Sequence, residues 1–201
     1  MRPSTRRELI AGPAGCIECA VDLPDGAPVG IAVIAHPHPL HGGTFDNKVA
    51  QTLARAHAEH GYAAYRPNFR GVGASDGAHD GGRGEVDDLA AVLAHALQVH
   101  GAVPVALAGF SFGAAMQLKL AARVPPRSLV LVGVAATYPD LPAAPAGTIV
   151  IHGEQDETVP LAAVLDWARP QDLPVIVLPG ADHFFHRRLG ILRALVARNL
   201  K

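Results

Sequence analysis

The stretch Val105–Met116, VALAGFSFGAAM, decides the fold that this sequence adopts. It begins as an apolar, β-like run and continues directly as a helix-like run. Between the two lies Gly-x-Ser-x-Gly, formed by Gly109, Ser111 and Gly113. A strand that turns into a helix at one residue strains the backbone of that residue and raises its side chain above the edge of the sheet. We therefore predict a nucleophile elbow with Ser111 at the turn.

Glycine is needed on both sides of Ser111 because the backbones of the strand and the helix approach closely there, and a Cβ atom would collide. Coincidence explains the motif poorly. The chain has four serines and 21 glycines among 201 residues, so about 0.04 matches to Gly-x-Ser-x-Gly are expected by chance.

Length and charge limit the kinds of protein that the sequence can encode. A chain of 201 residues can bury one sizeable core, and its 17 basic residues balance 18 acidic ones. This balance lacks the positive charge that binds nucleic acid or an anionic membrane surface. No apolar segment of signal-peptide or membrane-spanning length follows the charged N-terminus. We expect a single domain, residues 1–201, that is cytoplasmic and has neither nucleic acid nor a membrane as a partner.

The two cysteines, Cys16 and Cys19, have a C-x-x-C spacing that can indicate redox or metal chemistry. Here the surrounding residues alternate as in a strand, so the two side chains should face opposite sides of a sheet. A second pair of metal ligands is also missing. We interpret both cysteines as ordinary buried or half-buried thiols.

Apolar segments of strand length alternate with helical segments from residue 30 onward. This alternation demands parallel pairing, with crossover helices on both faces of the sheet. The sequence therefore predicts an α/β fold, a three-layer sandwich around a mostly parallel, twisted sheet. Residues 1–15, which contain two prolines and two glycines, are predicted to be a frayed lead. The predicted strands are 16–22, 30–35, 62–66, 103–108, 128–134, 148–152 and 175–178, and the predicted helices are 47–60, 85–100, 112–123, 161–168 and 185–200.

The elbow predicts two further residues, because a serine hydroxyl attacks a carbonyl only when an oriented histidine accepts its proton. In folds of this type a carboxylate and then a histidine follow the serine, each in a loop after a strand. The loop after strand 148–152 offers Asp156, whereas Glu154 lies close to the strand end and Glu157 begins the approach to the next helix. We select Asp156, although this residue could instead cap that helix.

The loop after strand 175–178 offers the base. His183 is its first histidine, and His186 comes one helical turn later, where a packed or exposed role fits better. The predicted catalytic residues are therefore Ser111, Asp156 and His183.

The negative charge that develops on the attacked oxygen needs N–H donors. The first is the backbone N–H of Phe112, at the start of the helix after the elbow. The second should come from the loop 36–44, HPHPLHGGT, whose two prolines have no N–H. His38 is then the first candidate and Leu40 the alternative.

The histidines at 36, 38 and 41 could alternatively bind a metal ion. A zinc centre would need more ligands than this loop offers, and the other histidines fit the serine scheme better. We predict no metal and no cofactor. The prolines then serve to hold one amide rigidly in place.

Together these motifs resemble the α/β-hydrolase superfamily. The elbow, Asp156 within Gly-x-x-Asp-x-x-Val, and His183 are similar to its catalytic motifs, and the similarity extends from about residue 30 to 190. The HPHPxxGG loop and Phe69–Ser75, FRGVGAS, resemble those of small, lidless hydrolases close to the dienelactone hydrolases. The resemblance implies an α/β-hydrolase fold without a cap domain and a hydrolytic activity.

Two positions depart from the family pattern. Dienelactone hydrolases use a cysteine nucleophile, whereas this chain has Ser111, which favours ordinary ester chemistry. Pro37 replaces the glycine of the family's His-Gly-x-Pro loops, in which the position of His38 supplies the oxyanion donor.

The connection 135–147 is short and contains three prolines, so it cannot form a helical lid. The site should be an open, shallow cleft that accepts short-chain or compact esters. Arg187 and Arg188 are interpreted as a solvated helix face. The candidate substrate contacts are Leu40, Gly42, Gly43, Phe110 and Phe184.

The sequence thus predicts a serine hydrolase whose partner is a small-molecule ester. The same residues could support a thioesterase or an acyl transferase. A catalytically silent scaffold that binds a partner is the alternative from a different class. The intact set of serine, aspartate and histidine argues against that alternative.

Overall fold

Within residues 4–200, which the computed structural model describes, eight strands form one sheet. The strands are β1 (Ser4–Gly12), β2 (Gly15–Leu23), β3 (Gly30–Ala35), β4 (Tyr62–Pro67), β5 (Val105–Phe110), β6 (Ser128–Val132), β7 (Ile149–Gly153) and β8 (Val175–Leu178). Their order in the sheet is β1-β2-β4-β3-β5-β6-β7-β8. Strands β3 to β8 are parallel, and β1 and β2 are antiparallel to their neighbours. Every residue of β3 and β4 is buried, as expected for parallel strands covered on both faces.

Helices cover both faces of this sheet. They are α1 (Lys48–Glu59), α2 (Arg83–His100), α3 (Phe112–Ala121), α4 (Leu161–Ala168) and α5 (Leu189–Arg198). Apolar side chains of α1 and α5 form one core cluster with one face of the sheet, and those of α2, α3 and α4 form the other. The predicted three-layer α/β fold is confirmed. The carboxyl ends of the parallel strands meet at one edge, where the loops that follow β3, β5, β7 and β8 lie close together.

The prediction for the N-terminal segment was wrong. Residues 4–12 are not a frayed lead but a strand that pairs with β2 in an antiparallel hairpin, from Ser4 opposite Leu23 to Gly12 opposite Gly15. The proline and glycines near residue 13 form the hairpin turn, and Ile10 contributes to the core. Residues 1–3 lie outside the described part of the chain.

Two boundaries also differ from the predicted ones. Strand β5 continues to Phe110, directly before the elbow. Helix α5 begins at Leu189 instead of residue 185, because Phe185 and Arg187 adopt positive φ angles of 53° and 60° that interrupt a helix.

The two cysteines are free thiols. Cys19 is buried as expected, whereas Cys16 is exposed, which corrects the expectation for that residue. The connection 135–147 between β6 and β7 contains no helix. In residues 4–200, none of the helices combines the length and the apolar character that crossing a membrane requires.

Buried histidines should make the fold sensitive to mild acid. His57 on α1 is fully buried, and burial lowers its pKa from 6.5 to about 4. The unfolded chain therefore binds a proton near pH 6.5, which the folded chain does not accept until about pH 4. The contribution of His57 to the free energy of unfolding is therefore full above pH 6.5. It falls by about 3 kcal/mol as the pH is lowered from 6.5 to about 4.

We predict that His57→Leu flattens this part of the stability profile, because leucine binds no proton in either state. The measurement is the free energy of unfolding in urea at several pH values from 7 to 4. Thr52→Val, on the same helix and without an ionisable group, is the control and should keep the slope of the parent protein. An unchanged slope in His57→Leu would contradict the prediction.

Candidate active site

Ser111 forms the turn between β5 and α3 with φ 56° and ψ −118°. A non-glycine residue rarely adopts this conformation, and here four backbone hydrogen bonds hold it. The Ser111 N–H donates to the carbonyl oxygen of Val132 at 2.9 Å, and its own carbonyl accepts from Ala114, Ala115 and Ala135. The predicted elbow is thus present, with the strain fixed by its neighbours.

The glycines around Ser111 are required by close backbone contacts. A Cβ on Gly109 would collide with the carbonyl group of Gly113, and a Cβ on Gly113 would collide with the carbonyl oxygens of Ala35 and His36. Helix α3 therefore lies directly against the ends of β5 and β3. This contact brings the loop after β3 next to the serine.

His183 and Asp156, from the loops after β8 and β7, meet beside Ser111. His183 Nδ1 lies 2.7 Å from Asp156 Oδ2, and both residues are buried. The other carboxylate oxygen accepts the N–H groups of Thr158 at 3.0 Å and Val159 at 2.7 Å. Because a carboxylate can only accept, Nδ1 carries the proton, and Nε2 is left as the basic nitrogen.

Ser111 and His183 face the same cleft, which has a volume of about 110 Å³. The imidazole packs on the ring of Phe110, with ring centroids 4.7 Å apart. In the described chain no hydrogen bond joins the serine hydroxyl to His183. Such catalytic hydrogen bonds are often long in ligand-free enzymes and tighten only when substrate binds. The cleft is lined by Pro37, His38, His41, Gly42, Gly43, Asn47, Ser111, Thr158, His183 and Phe184.

His36 fixes the loop that follows β3. Its Nε2 accepts the N–H of Phe69 at 3.0 Å, so its Nδ1 carries the proton and donates to the Pro37 carbonyl at 2.7 Å. Burial lowers the pKa of His36 to about 4, which keeps the ring neutral near pH 7. These two hydrogen bonds fix the backbone at Pro37, directly before His38.

Only one of the two candidate amides in this loop is free. The N–H of Leu40 donates to His38 Nδ1 at 3.2 Å and is occupied. Within residues 4–200, the backbone N–H groups of His38 and Phe112 have no protein acceptor. The geometry thus favours His38 over Leu40 as the partner of Phe112.

The predicted substrate contacts divide into two groups. Gly42, Gly43 and Phe184 line the cleft. Leu40 and Phe110 do not, which corrects the expectation for both. The Leu40 side chain is 70% exposed outside the cleft, and Phe110 is fully buried beneath the imidazole of His183, where it supports the ring.

Sequence reasoning missed His152, on β7. This buried side chain donates from Nε2 to the Val159 carbonyl at 2.9 Å, and the same nitrogen lies 3.5 Å from Asp156 Oδ2. Burial lowers its pKa and keeps it neutral. His152 thus ties the end of β7 to the segment that holds Asp156, and its position four residues before the acid was the available signal.

Asn47 and Thr158 were also missed as lining residues. Asn47 Oδ1 caps α1 by accepting the N–H groups of Val49 and Ala50. An asparagine directly before a helical segment predicts such a cap, but not that the cap borders a cleft.

The alternative metal site is not assembled in the part of the chain that the structure describes. No three histidine, cysteine, aspartate or glutamate side chains there are arranged to hold an ion. His38 instead stacks on His41 with ring centroids 4.5 Å apart, and His36 turns away toward Phe69.

Comparison with known proteins identifies the class. Residues 27–147 match the family described as serine aminopeptidase, S33. An uncharacterised protein of Rickettsia prowazekii is 33% identical over 189 residues, which cover 87% of this chain and 79% of the other. The chain therefore belongs to this family of α/β hydrolases.

Two solved structures are similar over nearly their whole length. An α/β serine hydrolase homologue from Coxiella burnetii is 42% identical, with a TM-score of 0.92 and coverage of 98% of this chain and 97% of the other. An α/β serine hydrolase without a lid from Xanthomonas campestris is 36% identical, with a TM-score of 0.91 and coverage of 100% and 95%. The protein is thus a hydrolase of the lidless α/β subgroup.

The close contact at Gly113 generates a stability prediction. Gly113→Ala should lower the free energy of unfolding by about 1 to 3 kcal/mol, since the methyl group forces α3 away from the loop after β3. Gly190→Ala in α5 is the matched control, because a Cβ there meets no atom within 4 Å. This control should gain about 0.5 to 1 kcal/mol from the loss of chain entropy alone. Equal stabilities of the two variants in urea unfolding would contradict the packing argument.

Proposed function

We propose that the protein is a serine carboxylesterase that cleaves short-chain or compact carboxylic esters through an acyl-enzyme on Ser111. The observation that carries the proposal is the buried pair of His183 and Asp156, 2.7 Å apart, in one cleft with a serine at positive φ. A structural role alone would not require these three groups to converge at the edge of the sheet.

In the first half of the reaction, His183 Nε2 accepts the proton of the Ser111 hydroxyl as its oxygen attacks the ester carbonyl. The imidazole becomes a cation, and the Asp156 carboxylate stabilises it through the Nδ1 hydrogen bond. The same proton then passes to the alcohol oxygen as the C–O bond breaks. An acyl group remains on Ser111.

The tetrahedral intermediate carries a negative oxygen, which needs preorganised donors. The free N–H groups of Phe112 and His38 are the proposed pair. Phe112 is the first residue of α3, where the helix dipole also favours negative charge. In the second half of the reaction, water attacks the acyl carbon and gives a proton to His183. His183 passes this proton to the Ser111 oxygen as the acyl–oxygen bond breaks, which releases the acid and restores the serine hydroxyl.

The dimensions of the cleft support compact substrates. A volume of about 110 Å³ accommodates a short acyl chain, and the loop 135–147 supplies no helix to cover a longer one. The family name refers to an aminopeptidase, which must bind the ammonium group beside the bond that it cleaves. Among the described residues that line this cleft there is no aspartate or glutamate, so an ester without an ammonium group is the better fit.

A fluorophosphonate probe tests the proposal directly. We expect one covalent label on Ser111, found by mass spectrometry of the digested protein. Ser111→Ala should abolish labelling and lower the hydrolysis of p-nitrophenyl acetate by about four to six orders of magnitude. Ser128→Ala, at the start of β6 and outside the cleft, is the matched control and should react as the parent does.

A protein that remains unlabelled at high reagent excess would favour the silent scaffold. Hydrolysis of acetyl-coenzyme A with a higher kcat/KM than that of p-nitrophenyl acetate would favour the thioesterase. Transfer of the acetyl group to an added alcohol in preference to water would favour the acyl transferase.

The substrate size is tested with p-nitrophenyl esters of increasing acyl length. We predict a higher kcat/KM for the acetyl and butyryl esters than for the octanoyl ester, because the cleft has no apolar cover for a long chain. A clear preference for the octanoyl ester would contradict the shallow cleft.

A further inference from the structure

A second cavity lies outside the catalytic cleft, between α1 and α5. Its volume is about 380 Å³, larger than that of the cleft. We call it the basic groove, because three of its seven lining side chains are cationic. It is lined by Lys48, Gln51, Thr52, Arg55, Leu189, Gly190 and Arg193.

The positive charge of the basic groove is incompletely neutralised. Arg193 pairs with Glu59 at 3.1 Å, whereas Lys48 and Arg55 form no ion pair with a carboxylate of residues 4–200. Asp46, which precedes α1, is already engaged by Arg7 at 3.4 Å and by the Gln51 amide at 3.2 Å. The groove therefore keeps an excess of cationic groups although the whole chain has a net charge of −1.

The helix ends increase this excess. Lys48 is the first residue of α1 and Arg188 is the N-cap of α5, and neither helix has an acidic residue in its first turn. A cation at a helix N-terminus is unfavourable, because it faces the positive end of the dipole. An anion bound in the groove beside Lys48 would offset this repulsion.

Residues that line the basic groove directly follow residues that line the catalytic cleft in the sequence. Asn47 lines the cleft, and the next residue, Lys48, lines the groove. On the opposite wall, Phe184 lines the cleft and Leu189, five residues later, lines the groove. From Lys48 the cations continue along α1 for two turns, about 10 Å, to Arg55.

The cleft also borders a groove of opposite character, with a volume of about 390 Å³, which shares Thr158, His183 and Phe184 with it. Asp182 in this second groove is paired with His186 at 2.6 Å. The other carboxylate that lines it, Glu157, forms no ion pair within residues 4–200. An anionic group is repelled from this side and attracted to the other. The field across the cleft thus favours one orientation of a charged substrate.

We infer that the basic groove binds an anionic group, a carboxylate or a phosphate, on the part of the ester substrate that does not react. The inference rests on the proposed esterase function and deepens it, since it assigns anionic esters as the substrate class. Lys48 and Arg55 supply the free charges, and Gln51 and Thr52 supply neutral hydrogen-bonding groups between them.

Binding is tested without turnover in the Ser111→Ala protein. Titration calorimetry at low salt with glutarate and with inorganic pyrophosphate distinguishes a carboxylate from a phosphate ligand. We expect one of the two anions to bind, and Lys48→Gln with Arg55→Gln to weaken that binding at least tenfold. Arg198→Gln, an exposed cation in the last turn of α5 outside the groove, is the matched control. Binding that is absent, or equally weakened in the control, overturns the inference.

Turnover is tested by comparing mono-p-nitrophenyl glutarate with p-nitrophenyl pentanoate, which have acyl chains of equal length. The double variant should raise the ratio of the two KM values, charged over neutral, at least fivefold, and Arg198→Gln should leave the ratio unchanged. An unchanged ratio in the double variant overturns the groove as a substrate subsite. Loss of all labelling and hydrolysis in the parent protein instead overturns the proposed function, and the calorimetry still reports separately on the groove.

Discussion

The contact between α3 and the ends of β5 and β3 is the constraint on which the rest of the site depends. At Gly109 and Gly113 the backbones are too close for any side chain. This proximity forces Ser111 into a positive φ, a strain of about 1 to 3 kcal/mol, and positions the loop after β3 beside it. The hydrogen bonds to Val132 and Ala135 tie the turn to the next strand as well. The packing of the sheet thus places the serine at the wall of the cleft.

The side chains that support the site are held by hydrogen bonds or by ring packing. Asp156 accepts two backbone N–H groups on one oxygen and His183 on the other. The ring of His183 rests on Phe110, and His36 is fixed between Phe69 and Pro37. Such a site needs little reorganisation when charge develops, which is the main source of electrostatic catalysis.

Much of this arrangement could be predicted from the sequence, because it follows from local patterns. The elbow, the alternation of strands and helices, and the loop positions of Asp156 and His183 are all encoded over short stretches. The N-terminal strand could not be predicted, since its hairpin turn and a frayed end have the same proline and glycine content. The place of Phe110 beneath His183 was also inaccessible, because the imidazole comes from a distant segment. The occupied N–H of Leu40 depends on the side-chain orientation of His38, which the sequence does not specify.

The same limitation applies to the residues that were missed. His152 belongs to a strand by its pattern, and only the folded chain places its Nε2 beside Val159 and Asp156. The cations of the basic groove come from α1 and α5, which are far apart in the sequence. Arg193 and Glu59, the ion pair that joins the two helices, are separated by 134 residues. Spacing along the chain does not reveal that these helices are neighbours.

The central claim is that Ser111, His183 and the two free amides act on one carbonyl group. A crystal structure of the protein after reaction with a fluorophosphonate tests this most directly. The account predicts phosphorus bonded to Ser111 Oγ, with its non-bridging oxygen within hydrogen-bond distance of the N–H groups of Phe112 and His38, and His183 Nε2 close to Oγ. An adduct on another residue, or an oxygen that points away from both amides, would contradict the account.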